Sequence, residues 1–104
     1  MGQLYTHGIW TAKPGREEEF VGAWSEFAEW TEREVSANAT GKLLRDTSAP
    51  NRFISFGPWE SLEQIENWRA REGWKKRVAT LRELLDGFEP STLEQVAGRE
   101  EPSK

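Results

Sequence analysis

Apolar and polar positions alternate at the start of the chain, and this alternation predicts a β-strand over Leu4–Ala12. Successive side chains of a strand point to opposite faces. One face would then carry Leu4, Thr6, Gly8 and Trp10, and the other Tyr5, His7, Ile9 and Thr11. The turn-forming sequence Lys13-Pro14-Gly15 predicts the end of the strand.

Apolar residues next recur at helical spacing and predict a helix from about Arg16 to Arg33. Three glutamates in its opening turn suit the positive end of the helix dipole. The apolar residues form a single stripe, which predicts that one side of the helix packs on a core. The members of the stripe are Phe20, Ala23, Trp24, Phe27 and Trp30.

A second helical pattern begins after Ser61, with Gln64 placed to complete a capping box. Its inner face would carry Leu62, Ile65 and Trp68, and after an interruption at Gly73 the stripe would continue through Trp74, Val78, Leu81 and Leu85. Gly87 is expected to stop this helix. The first helix is acidic and the second basic, which is typical of complementary solvated faces or, alternatively, of a cationic rim that attracts a phenolate or carboxylate.

Three further strands are predicted. Gly41–Thr47 and Arg52–Trp59 flank Ser48–Asn51, which has turn chemistry and indicates a hairpin. Phe88–Val96 is a weaker strand, and Pro90 places it at a sheet edge.

The order β-α-β-β-α-β predicts an α+β, ferredoxin-like fold: a four-stranded antiparallel sheet with two helices on one face. The other face would be bare, and a large exposed apolar face favours association. We therefore expect a homodimer with Leu4 and Trp10 at or near its interface.

The composition narrows the possible chemistry. The 104 residues include six tryptophans, one histidine and no cysteine, and the net charge is −4. Thiolate and two-histidine metal chemistry within one chain are thus not expected, and nucleic acid is not a favoured partner. There is no secretion signal and no membrane-spanning run, so a cytoplasmic protein without membrane contact is expected. One domain should occupy residues 1–96, followed by a polar tail at 97–104.

The chain resembles the antibiotic-biosynthesis monooxygenase family of dimeric α/β-barrel proteins over about residues 3–96. The resemblance rests on the Lys13-Pro14-Gly15 turn, the helix opening Arg16–Phe20, the block Pro50–Ser61, and the aromatic residues Trp68 and Trp74. It implies either cofactor-independent oxidation of polycyclic phenols to quinones or, in sister branches, oxidative haem degradation. Both place a flat aromatic ligand between sheet and helices, beside a tryptophan that corresponds to Trp68.

The haem-degrading branch also uses a first-strand asparagine and a ligating histidine on the second helix. The corresponding positions hold His7 and Val78, or Arg77 with a shift of one residue. We therefore expect no haem cleavage by that route, and no cofactor or metal.

The predicted function is a cofactor-independent monooxygenase that oxidises a flat, electron-rich phenol or anthrone with O₂. His7 is the expected catalytic base, because its unperturbed pKa suits proton transfer near neutral pH. The expected substrate-binding residues are Tyr5, Gln64, Trp68, Trp24 and Phe27. The alternatives are a non-catalytic homodimer that binds a small molecule or haem, and a structural homodimer whose tryptophans are core and interface.

Overall fold

The computed structural model describes residues 2–98. The element order is β1 (Leu4–Ala12), α1 (Glu17–Glu34), β2 (Lys42–Asp46), β3 (Ala49–Trp59), α2 (Leu62–Ala70), α3 (Glu72–Glu83) and β4 (Leu85–Glu94). The strands form one antiparallel sheet in the order β2-β3-β1-β4. The predicted ferredoxin-like fold is therefore confirmed, and most of the predicted polar tail, residues 99–104, lies outside the described residues.

The second helical segment is divided into α2 and α3 at Arg71, not at Gly73. The backbone of Arg71 is extended, with φ −73° and ψ 143°, which ends α2 and begins α3. Gly73 lies inside α3, where an added Cβ atom would clash with Cζ2 of Trp30. The glycine thus allows α3 to lie close against α1. An Arg77–Glu26 ion pair, 3.1 Å between Nη2 and Oε2, also joins the basic α3 to the acidic α1.

Two element boundaries predicted from the sequence are also wrong: the start of β3 and the end of the second helical segment. The turn between β2 and β3 is confined to Thr47 and Ser48, where the Ser48 N–H donates to Asp46 Oδ1 over 2.8 Å. β3 therefore begins at Ala49. At the other end, α3 ends at Glu83 and β4 begins at Leu85, so that Gly87 lies within a strand. β4 is an edge strand, as its proline predicted.

The helices cover the sheet face that carries Trp10. The Trp10 ring lies 5.5 Å from the Phe20 ring of α1 and stacks 4.1 Å from Phe88 of β4. The residue is only 4% exposed. Placing Trp10 in a dimer interface was therefore wrong. The same correction applies to Leu4, which lies three two-residue repeats earlier on the same face of the strand. Leu62 is a further correction, because it is 57% exposed and does not face the core.

None of the helices within residues 2–98 is long and apolar enough to cross a membrane.

Candidate functional site

A cavity of about 490 Å³ lies between the helices and the covered face of the sheet. Its walls are mainly aromatic, and five of the six tryptophans border it. We refer to this space as the aromatic cavity. Its aromatic wall residues include Trp10, Trp24, Phe27, Trp59, Trp68, Trp74 and Phe88. A large, mostly apolar cavity with few polar groups is the usual form of a small-molecule site.

Gly8 of β1 forms part of the cavity floor. A Cβ atom on Gly8 would lie 2.9 Å from Nε1 of Trp10 and 3.2 Å from Oγ of Ser55. These two atoms are hydrogen-bonded to each other at 2.9 Å, with the indole N–H donating. The missing side chain therefore leaves room for a bond that fixes the orientation of the Trp10 ring.

Trp68 of α2 lies at the centre of the aromatic wall. Its ring is 4.7 Å from the ring of Trp59 and stacks at 5.6 Å on Phe27. Its Nε1–H donates to Thr31 Oγ1 over 3.0 Å, and that hydroxyl donates to the Phe27 carbonyl oxygen. Because the N–H is already bonded, Trp68 can offer a ligand its ring surface but not a hydrogen bond.

Trp74 of α3 differs from its neighbours. Its Nε1 is buried and has no hydrogen-bond partner among residues 2–98. A buried donor without a partner costs about 1–3 kcal/mol. The ring borders the aromatic cavity and meets Trp68 edge-on at 6.1 Å. Because this atom exposes less than 1 Å², an acceptor oxygen on a bound ligand would reach the donor only after the Trp74 ring turns.

The His7 imidazole does not lie on the sheet face that the helices cover, and this placement argues against the predicted catalytic base. The neighbouring Thr6 accepts a hydrogen bond of 2.9 Å from Trp59, which places Thr6 on the covered face and the His7 side chain on the other. There, His7 Nδ1 is 3.3 Å from Oγ of Ser91, its cross-strand neighbour. The strand carrying His7 borders the aromatic cavity, but the imidazole lies on the far face.

Two predicted binding residues do not border the cavity. Tyr5 is on the same face as His7, and its ring packs edge-on against Phe56 at 6.3 Å. The Gln64 amide oxygen accepts the backbone N–H of Glu60 over 2.9 Å, while Ser61 Oγ caps α2 by accepting the Gln64 N–H. The Gln64 amide therefore stabilises the N-terminus of α2.

The structure does bring Trp68, Trp24 and Phe27 together around the aromatic cavity. The sequence analysis placed Trp10 at a dimer interface and assigned Trp59 no part in the site. It also gave no role to Trp74, although that residue lay on the predicted helical stripe.

Within residues 2–98, the charged residues at the border of the aromatic cavity are all arginines. Arg69 and Arg82 border it, and no aspartate or glutamate does. Haem ligated by histidine does not fit this lining, because a buried Val78 occupies the predicted ligand position and the His7 imidazole lies on the other face.

The family model for antibiotic biosynthesis monooxygenase matches residues 5–80. SnoaB, a cofactor-independent oxygenase from Streptomyces nogalater solved as a variant, has a similar structure, with a TM-score of 0.85 and 17% identity. The alignment covers 97% of this chain and 100% of SnoaB.

Two other solved structures are similar. Protein SO0527 from Shewanella oneidensis has a TM-score of 0.78 and 19% identity, covering 90% of this chain and 91% of its own. A conserved protein from Methanosarcina mazei has a TM-score of 0.80 and 16% identity, with coverage of 91% and 94%. At these identities the likeness establishes the fold. No curated protein sequence matches the chain.

Proposed function

Since the chain belongs to the antibiotic biosynthesis monooxygenase family, we propose that it is a monooxygenase that oxidises a flat, electron-rich aromatic molecule with O₂ and without a resident cofactor. The substrate would be of phenol or anthrone type and would occupy the aromatic cavity. The observation that carries the proposal is the combination of flat aromatic walls with one buried, unpartnered indole N–H.

The walls suit a planar ring system. Trp68 and Trp59 have their N–H groups bonded to Thr31 and Thr6, so the orientation of each ring is fixed. Stacking on such a ring contributes about 0.5–1.5 kcal/mol beyond the burial of apolar area.

Trp74 is the proposed oxygen-binding residue. Its Nε1–H would donate to the carbonyl or phenolate oxygen of the substrate. Negative charge grows on that oxygen when the substrate ionises, so a fixed donor there stabilises the anion more than the neutral molecule. Trp74 thus replaces Tyr5 and Gln64, which the sequence analysis predicted to bind the substrate.

The oxidation of an anthrone shows how protons, electrons and oxygen atoms balance in the proposed reaction. A C–H proton leaves to water, because no imidazole or carboxylate side chain faces the cavity within residues 2–98. The anion transfers one electron to O₂, and the radical pair combines in a C–O bond to give a peroxide. Loss of a second C–H proton and cleavage of the O–O bond release water and leave a carbonyl, so one oxygen atom enters the product.

The lack of a base in the described cavity favours a second candidate, a protein that binds the same ligand class without catalysis. Oxygen uptake with a panel of anthrones and hydroquinones separates the two. The monooxygenase predicts uptake above the uncatalysed rate, together with a lower rate in Trp74→Phe, which removes the N–H and keeps an aromatic ring. Trp30→Phe is the matched control, because Trp30 is the one tryptophan that does not border the cavity. Ligand binding without added uptake would support the binding protein instead.

The homodimer is also proposed, but with a corrected surface. The face opposite the helices carries an apolar set that we call the open-face patch: Ile9, Leu44, Ile54, Phe56 and Leu93. Leu44 is 51% exposed and Leu93 44% exposed. Pairing two such faces would remove apolar area from water at about 25 cal/mol per Å².

A further inference from the structure

Two arginines stand at the border of the aromatic cavity. Arg69 lies in the last turn of α2, directly after Trp68, and Arg82 lies in the last turn of α3. The Arg82 guanidinium is 6.0 Å from the ring of Phe88, which in turn stacks on Trp10. The Arg82 guanidinium therefore lies beside an aromatic wall residue, and both arginines border the cavity.

The ion-pair pattern separates these arginines from most others. Of the eight arginines within residues 2–98, five form ion pairs with carboxylates: Arg16, Arg33, Arg45, Arg52 and Arg77. In the same range, Arg69 and Arg82 form none, and no carboxylate borders the cavity. A cation near a helix C-terminus is favoured by the dipole, which accounts for the residue type but not for the exclusion of acids from this border.

The chemistry of guanidinium indicates the missing partner. Its planar fork of N–H donors matches a carboxylate in two parallel hydrogen bonds. Beside an apolar wall, water screens such a pair less than it does on an open surface. The border thus combines two cations that lack acidic partners with a cavity that suits a flat ring.

We propose that the aromatic cavity selects aromatic molecules that carry a carboxylate at one edge, which Arg69 and Arg82 recognise. This inference rests on the proposed function, since it assumes that the cavity is the ligand site. It narrows the substrate class from flat aromatics in general to aromatic acids.

The test compares two probes of the same shape, anthracene-2-carboxylate and the neutral anthracene-2-methanol. Quenching of tryptophan fluorescence gives the Kd of each. The parent protein should bind the carboxylate more tightly, and the difference should shrink as salt is raised. Arg69→Gln and Arg82→Gln should each weaken carboxylate binding by about tenfold or more and leave the alcohol unchanged.

Arg71→Gln is the matched control. Arg71 is exposed, forms no ion pair among the described residues and does not border the cavity. It should leave both Kd values unchanged.

The possible outcomes separate a failure of this inference from a failure of the proposed function. Equal Kd values for the two probes, unaffected by the arginine variants, would overturn the inference and leave the aromatic cavity as a ligand site. Equal weakening of both probes in the arginine variants would also overturn it, because that points to a structural role. Binding of neither probe would overturn the inference and the proposed function together.

Discussion

The two faces of the sheet are built from the same strands but differ in what their aromatic side chains do. Between the covered face and the helices, three indole N–H groups are bonded to hydroxyls: Trp10 to Ser55, Trp59 to Thr6 and Trp68 to Thr31. On the open face, Tyr5 and Phe56 meet edge-on and His7 lies within bonding reach of Ser91. Helices cover the first face and no element within residues 2–98 covers the second.

Within residues 2–98, the aromatic cavity lies on the covered face, where the helices form the opposing wall. Rings held in place by hydrogen bonds cannot rotate to fill the space between them, so the covered face keeps about 490 Å³ unfilled. The open face has apolar and aromatic groups but no opposing wall.

The largest expected effect is a difference in the free energy of unfolding between substitutions on the two faces of the sheet. Trp10→Ala should lower the free energy of unfolding by about 3–5 kcal/mol, because a large buried ring is lost. Tyr5→Ala, on the same strand but partly exposed, should cost about 1–2 kcal/mol. Urea unfolding followed by circular dichroism measures both. Equal losses would contradict the assignment of faces.

Ile54→Glu tests the open-face patch. A charge in the centre of a paired apolar face would be buried without a partner, so the proposed dimer should weaken by about 2 kcal/mol or more, roughly a thirtyfold rise in the dimer Kd. Light scattering across a dilution series gives the Kd. Leu62→Glu is the control, because Leu62 is exposed on the helix side and should leave the dimer intact. A monomeric parent protein at micromolar concentration would remove the dimer proposal.

Glycine substitutions probe the packing that supports the covered face. Gly73→Ala should cost about 1–3 kcal/mol, since its Cβ would meet the buried Trp30 ring. Gly22→Ala is a helical control with no atom within 4 Å of the new Cβ, and it should stabilise the protein by about 0.5–1 kcal/mol. Thermal unfolding distinguishes the two. A neutral Gly73→Ala would show that α1 and α3 can separate at little cost.

The smallest effect concerns one hydroxyl. Thr31→Val keeps the side-chain shape but leaves Trp68 Nε1 without an acceptor, and should cost about 1 kcal/mol. The same variant should broaden the Trp68 ring orientation and weaken ligand stacking slightly. Unfolding in urea and anthracene-2-methanol binding measure the two effects. An unchanged protein would mean that Thr31 does not hold the ring.

Much of the fold could be predicted, because periodicity depends on local geometry. Alternation in Leu4–Ala12, the stripe from Phe20 to Trp30 and the Ser61 cap each predicted the right element. Alternation divides β1 into two faces but does not say which one the helices cover. Each set holds aromatic or aliphatic groups together with a polar one, so Trp10 and His7 were assigned to the wrong sides.

Site residues could be predicted only where they lie on the apolar stripe of a predicted helix. Trp24, Phe27 and Trp68 lie on inward stripes and border the cavity. Trp74 could not be singled out, since its distinction is a missing hydrogen-bond partner, which depends on atoms distant in sequence. Gln64 was misjudged because its amide serves the cap, a local use that competes with any ligand.

Oxygen uptake by face-specific variants tests the central claim, that the aromatic cavity on the covered face is the site of oxygenation. The measurement compares the parent protein with Trp74→Phe and His7→Gln, using an anthrone in air and subtracting the uncatalysed rate. The account predicts uptake by the parent, a clear loss in Trp74→Phe and little change in His7→Gln. Uptake that is lost in His7→Gln and retained in Trp74→Phe would contradict it, because the chemistry would then belong to the open face.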